Sequence, residues 1–167
     1  SAFGLREGLL FEAMSSADRA LDPLIEGCAA LGARQGVAED LGLALEDWLS
    51  TAFATLPDLF SASRDRVLLT AACRLADIGA RLHPDHRADL VFEQVLRAPI
   101  SGMDHAERTF LALTLFSRHA PTGTPPDLDV INRLLSSDQQ RRARVLGAAM
   151  RLGCDLSGRS PALLCAA

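Results

Sequence analysis

A long apolar stripe between Arg64 and His83 constrains the fold of this chain more than any other feature. Apolar side chains recur there at spacings of three and four residues, the period of one helix face, and they are Leu68, Ala71, Ala72, Leu75, Ile78 and Leu82. Ser63 can cap the start, and Pro84 disfavours helical backbone at the residue before it. The pattern predicts a helix over 64–82, about five turns long, in the middle of the core.

The rest of the sequence also has the spacing and the end signals of helices. Helices are predicted over 3–14, 21–34, 38–56, 84–97, 104–119, 128–135 and 137–156. No segment combines the alternating apolar pattern of a strand with hairpin turns, and all but one of the eight prolines lie at predicted helix ends or in loops. The sequence therefore predicts an all-α fold, a single helical bundle of six to eight helices without a sheet.

The charge and composition of the chain limit its partners. With 167 residues, a net charge of −4 and a pI of about 5.5, it is not expected to bind nucleic acid or an anionic membrane. No apolar run approaches the roughly 20 residues of a membrane span. The cysteines form no C-x-x-C pair and are predicted to be reduced core residues of a cytoplasmic protein; they are Cys28, Cys73, Cys154 and Cys165.

Several segments resemble one phosphatase family. The opening Ser1 to Leu10, with its Gly-Leu-Arg-Glu-Gly block, is similar to the end of the second actin-like domain in the exopolyphosphatase/guanosine pentaphosphate phosphohydrolase family. In that family the block leads into a C-terminal helical domain, and four later segments resemble its alphaproteobacterial form: 75–79, 83–87, 102–113 and 142–152. The resemblance implies that residues 1–14 are the tail of a missing actin-like domain and that 15–167 form the C-terminal helical domain.

The family's activity resides in parts that this sequence lacks. Members of the family cleave terminal phosphates from inorganic polyphosphate or guanosine pentaphosphate, and their phosphate loops and catalytic carboxylate lie in two actin-like domains. The sequence has no Gly-rich phosphate loop after a strand. The resemblance therefore implies an accessory domain of an exopolyphosphatase-like hydrolase, catalytically inactive alone and without a cofactor of its own. The parent enzyme is expected to need Mg, and which of the two substrates it prefers stays open.

The helical domain of this family also resembles the HD superfamily of metal-dependent phosphohydrolases. An HD site needs an adjacent His-Asp pair, and here the pair is Ala76-Asp77. The remaining candidate ligands are scattered and are His83, His86, His105 and His119. The expectation is a degenerate HD position at Asp77 that binds no metal. An HD-type metal-dependent phosphohydrolase and a non-catalytic dimerisation or interaction module are the alternatives.

Basic residues in the last long helix are the candidate polyphosphate site. Three of them fall close to one helix face and the fourth flanks them; the set is Arg141, Arg142, Arg144 and Arg151. A positive stripe could hold inorganic polyphosphate, whose charge is spread along a chain. A solvated helix face, partly neutralised by Asp138 and Asp155, is the alternative.

Two further expectations concern contacts with other domains and copies. Arg6 and Glu7 are candidates for hydrogen bonds that join the helical part to its own actin-like domains, an ordinary surface pair being the alternative. The resemblance suggests a homodimer. Exposed aromatic side chains would provide its contact surface, the candidates being Phe53, Phe60, Phe110 and Phe116. A monomer whose actin-like domains cover that surface is the alternative.

Overall fold

The computed structural model describes residues 22–165, and within that range the chain forms eight helices and no strand. They are α1 (Pro23–Arg34), α2 (Glu39–Ala54), α3 (Ala62–Arg74), α4 (Pro84–Arg97), α5 (His105–His119), α6 (Leu128–Leu134), α7 (Ser137–Ser157) and α8 (Pro161–Leu164). The predicted all-α class is confirmed. None of these helices has both the length and the apolar character needed to cross a bilayer. The helix predicted over 3–14 lies outside the described residues.

Helix α5 forms the centre of the bundle. Every residue from Thr109 to Arg118 is buried, as its nearly uninterrupted apolar sequence predicts. The helix packs against α3, α4, α6 and α7. Its start is fixed by a capping box, in which Asp104 Oδ1 accepts from the Glu107 N–H at 2.8 Å and Glu107 Oε2 accepts from the Asp104 N–H at 2.9 Å.

An ion pair joins the start of α3 to the start of α5. The Arg64 guanidinium donates to both carboxylate oxygens of Glu107, from Nε at 2.6 Å and from Nη2 at 2.9 Å. The Glu107 side chain is buried, so this two-point pairing satisfies a charge that would otherwise be costly to remove from water. Asp22 lies 3.6 Å from the same guanidinium and brings the chain before α1 to this end of the bundle.

Helices α5 and α7 cross in close backbone contact at Gly147. A methyl group on Gly147 would overlap the Thr114 carbonyl oxygen and would lie 2.8 Å from both the Arg118 nitrogen and Ser117 Cβ. Only a residue without Cβ lets the two backbones approach this closely. The contact therefore sets the distance between the two helices that carry most of the residues discussed below.

The helix predicted over 64–82 is wrong in its second half. Helix α3 begins after the Ser61 cap, not Ser63, and ends at Arg74. The chain then continues as successive turns closed by hydrogen bonds three residues apart, such as Ile78 N–H to Leu75 O at 3.0 Å. Leu75 and Ile78 are fully buried, as predicted, because turns of three residues keep the same apolar spacing on one side.

Two other sequence predictions need correction. The helix predicted over 38–56 is shorter than expected: α2 stops at Ala54, and Leu56 is exposed in the following loop. The expected patch of four phenylalanines does not form, since Phe110 and Phe116 are buried inside the bundle. Phe60 packs edge-on against Phe110, with ring centroids 5.6 Å apart. Helix α8 was not predicted.

We expect Gly147→Ala to lower the free energy of unfolding by about 2 kcal/mol, since overpacking a tight crossing typically costs about 1–3 kcal/mol. Helix propensity alone predicts the opposite sign, because alanine is favoured over glycine by about 1 kcal/mol. Ala148→Gly on the exposed face of the same helix is the control and should cost no more than about 1 kcal/mol. Urea denaturation measures both, and an equally or more stable Gly147→Ala protein would contradict the crossing.

Candidate functional site

A buried cluster of charged and polar side chains lies where the turns after α3 meet the end of α5. Arg118 is only 4% exposed, and its Nη2 donates to Asp77 Oδ1 at 2.9 Å. Nη2 also lies 3.3 Å from Cys154 Sγ on α7. The carboxylate that the HD resemblance places at a metal site is thus bound to a guanidinium. Among residues 22–165 no three His, Cys, Asp or Glu side chains are grouped closely enough to share a metal ion.

His119 completes this cluster as a neutral imidazole. Its Nε2 lies 3.1 Å from the Ile78 carbonyl oxygen, which can only accept, so Nε2 carries the proton. Arg118 Nη1 lies 3.3 Å from Nδ1 and 3.5 Å from Nε2, so the guanidinium contacts the imidazole at nearly equal distance from both ring nitrogens. Burial, reinforced by the Arg118 charge, lowers the pKa of His119 to about 4. The imidazole therefore positions the guanidinium without adding a second positive charge.

The cluster forms one wall of a cleft of about 240 Å³, which we call the arginine cleft. Its charged lining comes from α4, α5, α7 and the turn after α7, and comprises Arg87, Arg118, Arg151, Arg159 and Asp155. Asp77 lies behind it, against Arg118 and Arg159. Four guanidinium groups thus face two carboxylates, which leaves an excess of two positive charges on a protein whose net charge is −4. The arrangement favours an anionic ligand.

Arg159 enters the cleft through an unusual backbone conformation. Helix α7 ends at Gly158, and both Gly158 and Arg159 have positive φ, at 56° and 63°. Arg159 is the one residue other than glycine with positive φ in the described range, and such a residue costs roughly 1–2 kcal/mol. This conformation brings Arg159 Nε to 3.5 Å from Asp77 Oδ1. Strained residues of this kind concentrate at functional sites.

The structure separates the four arginines predicted as a polyphosphate site. Arg144 and Arg151 lie on one side of α7, where they donate to the carbonyl oxygens of Gly123 at 3.4 Å and His119 at 3.3 Å. Arg141 is exposed and 3.5 Å from Asp138. Arg142 points to a different side, donating to the Pro57 carbonyl at 2.9 Å. Of the predicted set, Arg151 alone lines the arginine cleft.

Arg142 lines a second, larger cavity of about 530 Å³ between the end of α2 and the starts of α3 and α7. Most of its lining is apolar, as at Phe53, Leu69 and Leu146, and its charges are balanced, with Arg66 and Arg142 facing Asp58 and Asp65. It therefore lacks the positive excess of the arginine cleft.

The remaining predicted residues have structural surroundings. His83 caps α4 by accepting from the Asp85 N–H at 3.4 Å, and His105 is exposed. Cys28, Cys73 and Cys154 are free and buried, as predicted, whereas Cys165 is exposed. Burial raises the pKa of the Cys28 thiol to about 12, which keeps it protonated. Arg6 and Glu7 lie outside the described residues.

Three arginines of the cleft were not predicted from the sequence: Arg87, Arg118 and Arg159. Each looks ordinary in its own segment: Arg87 in the first turns of α4, Arg118 in the last turn of α5, where cations are common, and Arg159 after a helix end. One usable signal was Gly158, whose position after a helix predicts a left-handed turn and hence a reversal of the chain.

His119 should make the protein more sensitive to acid. Its folded pKa of about 4 lies below the ordinary value of 6.5, so between these pH values the unfolded chain takes up a proton that the folded one does not. The free energy of unfolding should therefore fall as pH drops from 6.5 to 4, by no more than about 3 kcal/mol from this group. Urea denaturation across this range should show a shallower fall for His119→Gln. The exposed His105→Gln is the control, and equal slopes in the two variants would contradict the assignment.

Comparison with known proteins places the chain in a family. The family model described as exopolyphosphatase, C-terminal, matches residues 29–166, well over half of the 167 residues. A search of curated proteins gives no significant match. The match covers helices α2 to α8 and therefore every residue of the arginine cleft. The chain belongs to the family of exopolyphosphatase C-terminal domains.

Proposed function

We propose that this chain is an accessory domain of an exopolyphosphatase-like phosphatase and binds inorganic polyphosphate along its arginine-rich side. The observation that carries the proposal is the positive excess of the arginine cleft on an acidic protein. Polyphosphate carries at least one negative charge on every phosphate, so a run of fixed cations suits it better than a single pocket. Arginine fits this task because its planar guanidinium pairs with phosphate oxygens at two points and is weakly hydrated.

The path of the polyanion follows from the positions of Arg144 and Arg151. They are seven residues apart on α7, which is two turns or about 10 Å. Both donate to backbone carbonyls near the end of α5, so their guanidinium groups are held along one line. That line leads from the loop at Gly123 into the arginine cleft, of which Arg151 is a part. Arg142 lies on another side and is not included.

Charge reversal tests this path. In the double variant Arg144→Glu/Arg151→Glu, long-chain polyphosphate should bind at least about tenfold more weakly, since two charge-assisted contacts worth roughly 1.5–3 kcal/mol each are replaced by repulsion. Binding is measured by calorimetry at low salt, and the affinity of the unaltered protein should fall steeply as salt is added.

The matched control is Arg34→Glu/Arg97→Glu, which changes the net charge by the same amount at exposed positions on α1 and α4. A general effect of protein charge would weaken binding equally in both double variants. That result, or the absence of binding to the unaltered protein, would contradict the proposed function.

The same accessory role includes a homodimer, and the outer face of α7 supports one. Val145, Leu152 and Leu156 are 50%, 52% and 64% exposed and recur at spacings of seven and four, so they form one apolar stripe on the helix surface. Ala148 lies on the same exposed face. An apolar stripe of this kind fits the centre of a two-fold contact, in which the same face of both copies meets. It replaces the phenylalanine surface expected from the sequence.

A dimer through α7 would also place two sets of basic residues near one another. Arg151 directly precedes Leu152 in the stripe, so a two-fold contact here brings the arginine sides of both copies to the edges of one interface. A polyanion could then contact both copies, which raises its overall affinity through the second binding event.

Leu152→Glu/Leu156→Glu should convert the dimer to a monomer without loss of helix, because four carboxylates would face each other across the contact. Light scattering over a range of micromolar concentrations measures the mass, and circular dichroism checks the fold. The control is Leu90→Glu/Leu128→Glu, at exposed leucines of α4 and α6. A monomer mass for the unaltered protein at every concentration would contradict the dimer.

A further inference from the structure

We propose that the arginine cleft is a site for one compact, doubly charged phosphate group, either free orthophosphate or the terminal phosphate of a chain. The assignment deepens the proposed function and rests on it for the source of the phosphate. The site lies at one end of the path, and of its four arginines Arg151 alone was predicted from the sequence.

Positive charges from separate parts of the chain converge on the arginine cleft. Arg87, Arg151 and Arg159 approach the cleft from α4, α7 and the turn after α7, while Arg118 forms its inner wall. Cations that surround a space from separate elements suit a group of high charge density. A terminal phosphate carries nearly two negative charges at neutral pH and has three free oxygens. A phosphate inside a chain carries one charge and has two.

In the part of the chain that the structure describes, two arginines of the cleft have hydrogen-bond donors without a protein partner. Arg118 is only 4% exposed, and its Nε has no hydrogen-bond partner among residues 22–165. In the same part of the chain, Arg159 is held only through Nε, by Asp77. Arg118 Nε is shielded from solvent, so the donors that a ligand in the cleft can reach are those of the exposed Arg159 outside its contact with Asp77.

The volume of the cleft also fits a small anion. At about 240 Å³ the cleft holds roughly eight waters, and it is smaller than the 300–1,000 Å³ typical of sites for drug-sized ligands. A nucleoside carrying several phosphates would exceed it. One or two phosphate groups fit, with the rest of a chain leaving past Arg151 toward Arg144.

Asp77 and His119 act as positioning residues in this site. Asp77 Oδ1 contacts Arg118 at 2.9 Å and Arg159 at 3.5 Å, which fixes the inner wall and one side of the cleft relative to each other. The neutral His119 imidazole packs against Arg118 Nη1, which lies 3.3 Å and 3.5 Å from its two ring nitrogens. Because Asp77 neutralises one of the two guanidinium charges, the site keeps enough positive charge to bind phosphate while its buried part remains stable.

The experiment uses calorimetry on the 167-residue chain at low salt with three probes: orthophosphate, linear tripolyphosphate and cyclic trimetaphosphate. Trimetaphosphate has three phosphates and three negative charges but no chain end, whereas orthophosphate carries fewer charges in total, so this pair separates a terminal group from total charge. Orthophosphate and tripolyphosphate should bind, with trimetaphosphate weaker than either of them and at least about tenfold weaker than tripolyphosphate. Equal affinity for orthophosphate and tripolyphosphate would identify the free anion as the ligand, and tighter binding of tripolyphosphate would identify the chain end.

Two variants locate the binding. Arg159→Gln removes an exposed cation and keeps the fold, and it should weaken orthophosphate or tripolyphosphate at least about tenfold. Arg118→Lys keeps the inner charge but loses the fork of donors, and it should weaken both as well. Arg97→Gln, an exposed arginine at the end of α4, is the control and should bind like the unaltered protein.

Three results would overturn the assignment: equal binding of trimetaphosphate and tripolyphosphate, an unchanged affinity in Arg159→Gln, or no binding of either linear probe. If long-chain polyphosphate still binds and depends on Arg144 in the last case, the proposed function stands without this site. If orthophosphate binds and long-chain polyphosphate does not, the site stands and the proposed function fails.

Discussion

The arrangement of this domain depends on one buried charge, the guanidinium of Arg118 at the end of α5. Removing such a group from water costs several kcal/mol, and the cost is recovered only with well-placed partners. Those partners come from three directions: Asp77 in the turns after α3, Cys154 on α7, and His119 beside it. The negative end of the α5 dipole lies at the same place and favours a cation. The charge therefore fixes the turns, the central helix and α7 relative to each other.

The sequence was sufficient for most helices because their ends carry local signals. The proline at the start of α4, the capping box of α5 and the serine before α7 all act within one turn. It failed over 75–82 because a spacing of three residues fits both a helix and successive turns, so periodicity could not tell them apart. Gly79 was the available sign: its φ is +80°, and a side chain there would overlap Val91.

The candidate site was harder to predict than the fold because it depends on distant parts of the chain. Asp77 and Arg118 are 41 residues apart, and Arg159 is 41 residues further on. Local patterns report which face of a helix is apolar but not which other element that helix meets. The predicted stripe on α7 shows the limit: the spacing put Arg141, Arg144 and Arg151 close to one face with Arg142 beside them, but it could not show that Arg142 meets a different loop. Asp77 was singled out through the HD resemblance, and its partner Arg118 could be identified only from the structure.

The Arg118 guanidinium, which occupies the position beside Asp77 where an HD enzyme would hold a metal, differs from a metal ion in what it can do to a phosphate group. A divalent metal bound to a carboxylate attracts phosphate and ionises a water that can attack it. A guanidinium shares the first property, since it donates paired hydrogen bonds to phosphate oxygens, but it has no open coordination position on which to ionise water. Its charge is also independent of pH in the physiological range, whereas a histidine ligand must be neutral to bind a metal. Arg118 and Asp77 therefore form a pair suited to holding a phosphate group without ionising a water.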